Sequence, residues 1–92
     1  MAKKKVNYKK EYYEYFDLLK DEMAVDEYEF IVNNRFVPAS QIHHVFFGAS
    51  KYDHIDNWMA LSTDNHYKAH NEELKRDYLK EIHLEFLIRN PY

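Results

Sequence analysis

The chain has no cysteine. Disulfides and thiolate zinc sites are therefore excluded, and any metal must be held by His, Asp or Glu. Glycine occurs once and proline twice. Gly48, with Ala49 and Ser50 after it, is expected to end a strand. Pro38 limits regular strand pairing, and Pro91 ends any helix that reaches it. No apolar run approaches membrane-spanning length and no signal-peptide pattern opens the chain, so a cytoplasmic location with no membrane partner is expected. A strongly basic surface, the usual footprint of a nucleic-acid binder, is also missing, since the net charge is −3.

The charge is unevenly placed. Residues 1–10 hold five lysines (Lys3, Lys4, Lys5, Lys9 and Lys10) and no acid. The remainder carries 8 Lys or Arg against 16 Asp or Glu, and eight of those acids lie between Glu11 and Glu29. Residues 1–7 read as a flexible basic tail, either a phosphate tether whose grip falls steeply with salt or a solubilising terminus. Residues 8–92 read as one domain. A domain this short has a marginal core. Nine Tyr and six Phe bring large area per residue, and a metal bound only by the folded chain would add its binding energy to stability.

Periodicity predicts an α+β fold. Tyr12, Phe16, Leu19 and Met23 recur at spacings of 4, 3 and 4, which predicts an amphipathic helix over residues 8–24. Residues 28–32 and 35–37 are rich in strand formers and straddle Asn33-Asn34, which predicts a hairpin. Residues 41–47 and 58–61 predict two further strands joined by a polar loop over 51–56. Ser62 or Thr63 is placed to cap the next helix. Leu74, Tyr78, Ile82 and Phe86 repeat every four residues, so that helix is expected to run from the cap to about Arg89.

The chemistry-bearing residues are Gln41-Ile42-His43-His44, then Asn57, His66 and His70. His66 and His70 lie one turn apart on one helix face, where two imidazoles can grip one metal ion. Adjacent strand residues point to opposite faces, so His43 and His44 cannot do the same job. We assign His43 to the metal with His66 and His70, and His44 to the role of general base. A histidine that titrates near neutrality can take a proton from water. Asn57 suits a residue that holds the base's ring through its side-chain carbonyl. Three neutral imidazoles favour zinc or nickel over manganese or magnesium. Arg35, Lys51 and Lys68 are the nearest cations in sequence and are expected to contact phosphate. His54 and Asp53 read as loop residues, His83 as structural and Trp58 as core.

This constellation resembles the HNH, or ββα-metal (His-Me finger), endonucleases over residues 28–70. The carrying residues are His43-His44, Asn57 and His66-Tyr67-Lys68-Ala69-His70. The all-histidine pattern looks like that of colicin-type nuclease toxins. The surrounding text is closer to small bacteriophage HNH proteins, many of which carry a Cys-x-x-Cys zinc knuckle; here Ser62 and Asn65 stand where the second cysteine pair would be.

The resemblance implies a ββα-metal core with added N- and C-terminal helices. It also implies one divalent ion and hydrolysis of DNA through its phosphate backbone, with little sequence preference. The compartment implied is a bacterial host's cytoplasm if the chain is phage-encoded. The alternative expectation is a non-catalytic module that keeps the metal for folding. Such a module would dock DNA, a protein partner or a second copy through its acidic, tyrosine-rich N-terminal helix.

Overall fold

The structure is a computed structural model and describes residues 7–19, 22–46 and 54–92. It is a small α+β fold. In chain order it has α1 (Tyr8–Tyr15), α2 (Glu27–Asn33), β1 (Gln41–His44), a short 3-10 turn (Ile55–Asn57), β2 (Trp58–Leu61), α3 (Thr63–His70) and α4 (Arg76–Arg89). The basic tail lies outside the described residues up to residue 6. Asn7 belongs to the folded part, because its Oδ1 accepts from Lys10 N–H at 3.1 Å and caps α1. No helix among the described residues is long and apolar enough to cross a membrane.

β1 and β2 form an antiparallel pair with His43 opposite Met59 and His44 opposite Trp58. Strand alternation gives the pair two working faces. Ile42, Trp58 and Ala60 pack with Tyr12 of α1, Phe16 just after it and Phe86 of α4. Met59 and Leu61 pack with Ala69 of α3 and with Leu74, Leu79 and Ile82. The sheet is thus buried on both sides, which explains why every residue of β2 is buried.

Four expected elements differ. The helix expected over 8–24 stops at Tyr15. Asp17 adopts a left-handed conformation (φ 56°), Asp17 N–H bonds Glu14 O at 3.2 Å, and Leu18 N–H bonds Tyr13 O at 2.8 Å. That pairing is a Schellman closure. The periodic stripe breaks with it: Tyr12 and Phe16 are buried, while Leu19 is 65% and Met23 60% exposed. Ala24 and Val25 turn instead toward residues 38–39, through Ala39 N–H to Ala24 O at 2.8 Å and a bridge between Val25 and Pro38.

Of the hairpin expected at 28–32 and 35–37, the first strand is a helix and residues 35–37 are neither helix nor strand. Asp26 caps α2 by accepting from Glu29 N–H at 2.9 Å, and Asn34 ends it in the left-handed region (φ 53°). The expectation that asparagine would take positive φ here is met, but it closes a helix rather than a two-residue hairpin. Burying Phe30 and Ile31 against the core overrides their strand propensity.

The single C-terminal helix is two helices. Glu72 takes φ 60°, Glu72 N–H bonds Ala69 O at 3.2 Å, and Glu73 N–H bonds Lys68 O at 2.9 Å. This second Schellman closure ends α3 at His70. Leu74 still enters the core from the turn, but Tyr78 is 43% exposed. The inward stripe of α4 is Leu79, Ile82, His83 and Phe86. The strand expected over 41–47 ends at His44, and its last residue, with the Gly48-Ala49-Ser50 end and residues 51–53 of the loop, lies outside the described residues. Trp58 is core and Ser62 caps α3, as expected.

Candidate metal centre

His43 comes from β1, and His66 and His70 from α3. Their ring centroids lie 5.1 Å (43–66), 5.4 Å (43–70) and 4.4 Å (66–70) apart. One ring nitrogen from each lies within 4.8 Å of the others, and His66 Nε2 is 3.1 Å from His70 Nε2. Tetrahedral zinc with nitrogen ligands at 2.0–2.1 Å needs ligand separations of about 3.3 Å. The three rings are therefore a fit donor set for one divalent ion after a small inward adjustment.

The electrostatics suit the same use. Burial, with the His66 and His70 rings beside it, pushes His43 down to about 4. Burial and His70 likewise lower His66. Lowered values keep the imidazoles neutral near pH 7, the form that ligates metal.

α3 is aimed by a polar lattice beneath it. Buried Asn65 donates its amide to Asp26 Oδ2 (2.8 Å) and to Glu29 Oε2 (2.9 Å). Ser62 N–H donates to the same Asp26 oxygen at 2.8 Å. Asp26 therefore fixes the start of α3 against α2 and sets which face the helix presents to β1.

His44 points to the opposite side of the sheet from His43. Its half-buried ring meets the Tyr8 ring edge-on, with centroids 4.1 Å apart at 85°, and its Nε2 is shielded from solvent. Asn57 is buried, and its amide spans the backbone of Phe46. Its Oδ1 accepts from Phe46 N–H and its Nδ2 donates to Phe46 O, both at 2.9 Å. Its own carbonyl accepts from Val45 N–H at 3.1 Å. The side-chain carbonyl expected to hold the ring of His44 is instead engaged by the backbone of Phe46, two residues further on.

α4 in turn grips the turn that carries Asn57. Lys80 Nζ donates to Asp56 O, and His83 Nε2–H donates to Ile55 O at 2.5 Å. His83 Nδ1 lies 2.5 Å from Glu27 Oε1. Nε2–H is fixed by the Ile55 carbonyl, and Nδ1 shares a proton with Glu27 Oε1, whose own carboxyl is raised by burial. Burial works against a charge on the ring, but Glu27 and the Ile55 carbonyl outweigh it and raise the His83 value. Glu27 also accepts from Tyr12 O–H (2.5 Å) and Ala60 N–H (3.0 Å). The expected structural role of His83 is met. Its buried carboxylate partner was not foreseen, because 56 residues separate the two.

Of the cations expected at phosphate, Lys51 lies outside the described residues, as does Asp53. Arg35 sits 3.7 Å from Glu29, and Lys68 adds its charge beside that same carboxylate. Lys68 is two residues from both His66 and His70, about 200° around the helix from each. Among the described residues, Arg76 is a cation beside the imidazoles, lining a cavity with His43 and His70. In one continuous helix Arg76 would have lain about 9 Å beyond His70 along the axis, so only the break at 71–75 reveals it. No protein-family model, curated protein or solved structure matches this chain.

Proposed function

We propose that this chain is a metal-dependent endonuclease of the HNH type, with β1, β2 and α3 as its ββα-metal core and DNA phosphodiesters as its substrate. The observation that carries the reading is the convergence of His43, His66 and His70 from two separate segments, with His44 next to His43 on the other side of the strand. Zinc or nickel suits an all-imidazole donor set, and three protein ligands leave positions open for phosphate and water. A bound divalent ion supplies charge against the developing phosphorane and support for the leaving 3′ oxygen. His44 is the base that takes the proton from the attacking water, which requires the Tyr8 ring against it to move aside and open its shielded Nε2. Asn57 holds the backbone that follows His44, and α4 holds Asn57. Ser62 and Asn65, which stand where knuckle cysteines occur in many phage HNH proteins, are tied to Asp26; these bonds replace the knuckle's cross-link.

The test is cleavage of supercoiled plasmid with zinc, nickel, manganese or magnesium added singly. Wild type nicks or linearises the plasmid, and His44→Ala does not while still taking up the ion. Equal cleavage by that variant removes the mechanism.

The Tyr8 ring against His44 favours a second reading, in which the acidic N-terminal helix masks the base until a partner displaces it. Tyr12 and Phe16 are core residues, so deleting the helix would unfold the chain. The usable probe is Tyr8→Ala, which raises the nicking rate severalfold if the ring masks the base. A lowered rate with unchanged fold shows that Tyr8 positions His44 instead.

A further inference from the structure

A cavity of about 190 Å³ opens beside the three imidazoles, lined by His43, Ala69, His70, Asn71, Glu72 and Arg76. We propose that this cavity is a phosphate subsite in which Arg76 is a substrate-positioning residue, gripping a phosphodiester oxygen adjacent to the metal centre. The inference rests on the reading of His43, His66 and His70 as that centre.

The lining of the cavity and the chemistry of the guanidinium support it. The cavity is shared by two of the three imidazoles and one guanidinium, so an ion held by the rings and the Arg76 fork would face the same small volume. A guanidinium keeps its charge at any working pH and presents parallel N–H donors that match two phosphate oxygens. Arg76 lines the same small cavity as His43 and His70. A metal ion at those rings is therefore repelled by the guanidinium, and a bound anion between the two cations relieves the repulsion. Metal and phosphate are therefore expected to bind cooperatively, each raising the other's affinity by the same factor.

The turn that creates the cavity is the Schellman closure ending α3. Glu72, at its left-handed position, puts a carboxylate on the cavity wall. That charge opposes an anion. It gives the proposal a second, opposite sign: removing the Arg76 charge weakens phosphate binding, and removing the Glu72 charge strengthens it. A merely structural role for either residue does not produce this pair of signs.

The experiment titrates two probes, inorganic phosphate and the dinucleoside monophosphate thymidylyl-thymidine. Each is titrated into the full chain with and without zinc, with binding read by calorimetry. The chains compared are wild type, Arg76→Ala, Arg76→Lys and Glu72→Gln. With zinc present, Arg76→Ala is expected to weaken thymidylyl-thymidine at least tenfold, about 1.4 kcal/mol. Arg76→Lys recovers part of the loss, because a point charge remains without the fork, and Glu72→Gln binds more tightly than wild type. In plasmid cleavage the Arg76→Ala loss falls mainly on KM.

Unchanged dinucleotide affinity in Arg76→Ala, with zinc bound as in wild type, overturns the subsite and leaves the metal centre standing. Binding of inorganic phosphate alone assigns the cavity to the free ion and overturns the positioning role. Failure of wild type to take up zinc sinks the metal-centre reading itself. The zinc-free titrations then decide whether Arg76 contributes to anion binding.

Discussion

Glu27 is buried at the meeting point of α1, α2, β2 and α4. It accepts from Tyr12 O–H and Ala60 N–H and shares a short hydrogen bond with His83 Nδ1. Glu27→Ala strands all three partners in a site closed to water. An orphaned buried polar group costs about 1–3 kcal/mol, more when charged, and breaking a buried ion pair from one side costs about 3–5 kcal/mol. The expected loss is therefore about 3–5 kcal/mol. Unfolding entropy of about 2.1 cal/mol/K per residue over 92 residues converts each kcal/mol into about 5 °C, so Tm should fall by about 15–25 °C.

Glu27→Gln is milder. Its carbonyl oxygen can still accept from Tyr12 and Ala60. His83 can shed one proton and keep Nε2–H on Ile55 O. The loss then reduces to exchanging a charged hydrogen bond for a neutral one, about 1–2 kcal/mol.

The sign of the pH dependence follows from the raised His83 value. A raised folded-state value contributes stability in full below the unfolded value near 6.5, and that contribution disappears as pH rises through the folded value. Wild type should lose more stability than Glu27→Gln as pH rises above the unfolded value near 6.5. Circular-dichroism melts of the three proteins across that range are the assay. If Glu27→Ala melts within about 5 °C of wild type, or if Glu27→Gln keeps the wild-type alkaline slope, the network does not hold the fold as argued.

Three further outcomes are expected. Zinc at about 100 times its dissociation constant should add about 2.7 kcal/mol, close to 13 °C in Tm, and chelation should reverse it; a His70→Ala variant should lose most of the shift, and an unchanged wild-type Tm would refute a built metal site. In metal-free protein, His43 is held down to about 4 while the unfolded chain titrates near 6.5. The unfolded state thus binds the extra proton between those values, stability falls as pH drops through that window, and His43→Phe melts should show a shallower acid slope. Glu72→Gly removes a β-carbon from a left-handed position, so a gain of about 0.5–1 kcal/mol is expected, read as a Tm rise of a few degrees; a fall in Tm would show that the closure depends on the glutamate side chain.

The candidate site was more legible than the frame around it. His66 and His70 at i and i+4 are neighbours on any helix, and adjacent strand residues diverge on any strand. Those rules are local, so His43 and His44 could be separated from sequence. The helix ends could not be read. Glycine usually marks the left-handed closing position, but this chain has one glycine and places Asp17, Asn34, Glu72 and Asn90 at positive φ instead. Without that mark, spacing alone runs α1 too long and joins α3 to α4, while the strand propensity of residues 28–32 hides α2 until Phe30 and Ile31 pack on the core. The register of α4 followed the same error, since Tyr78 faces out and His83 faces in.

Composition and local spacing were enough to exclude sulfur ligands, to pair His66 with His70, and to set His43 and His44 on opposite sides of a strand. Which side met α3, and which met Tyr8, was decided only when α1 and α3 packed on the two faces of the sheet. Tertiary packing alone also joined Glu27 to His83, tied Asp26 to Ser62 and Asn65, and turned Arg76 back toward the imidazoles. These contacts span tens of residues, and their energies come from burial and from mutual hydrogen bonding. Neither exists until the chain has closed on itself, whereas the one-turn spacing of two histidines exists as soon as the helix does.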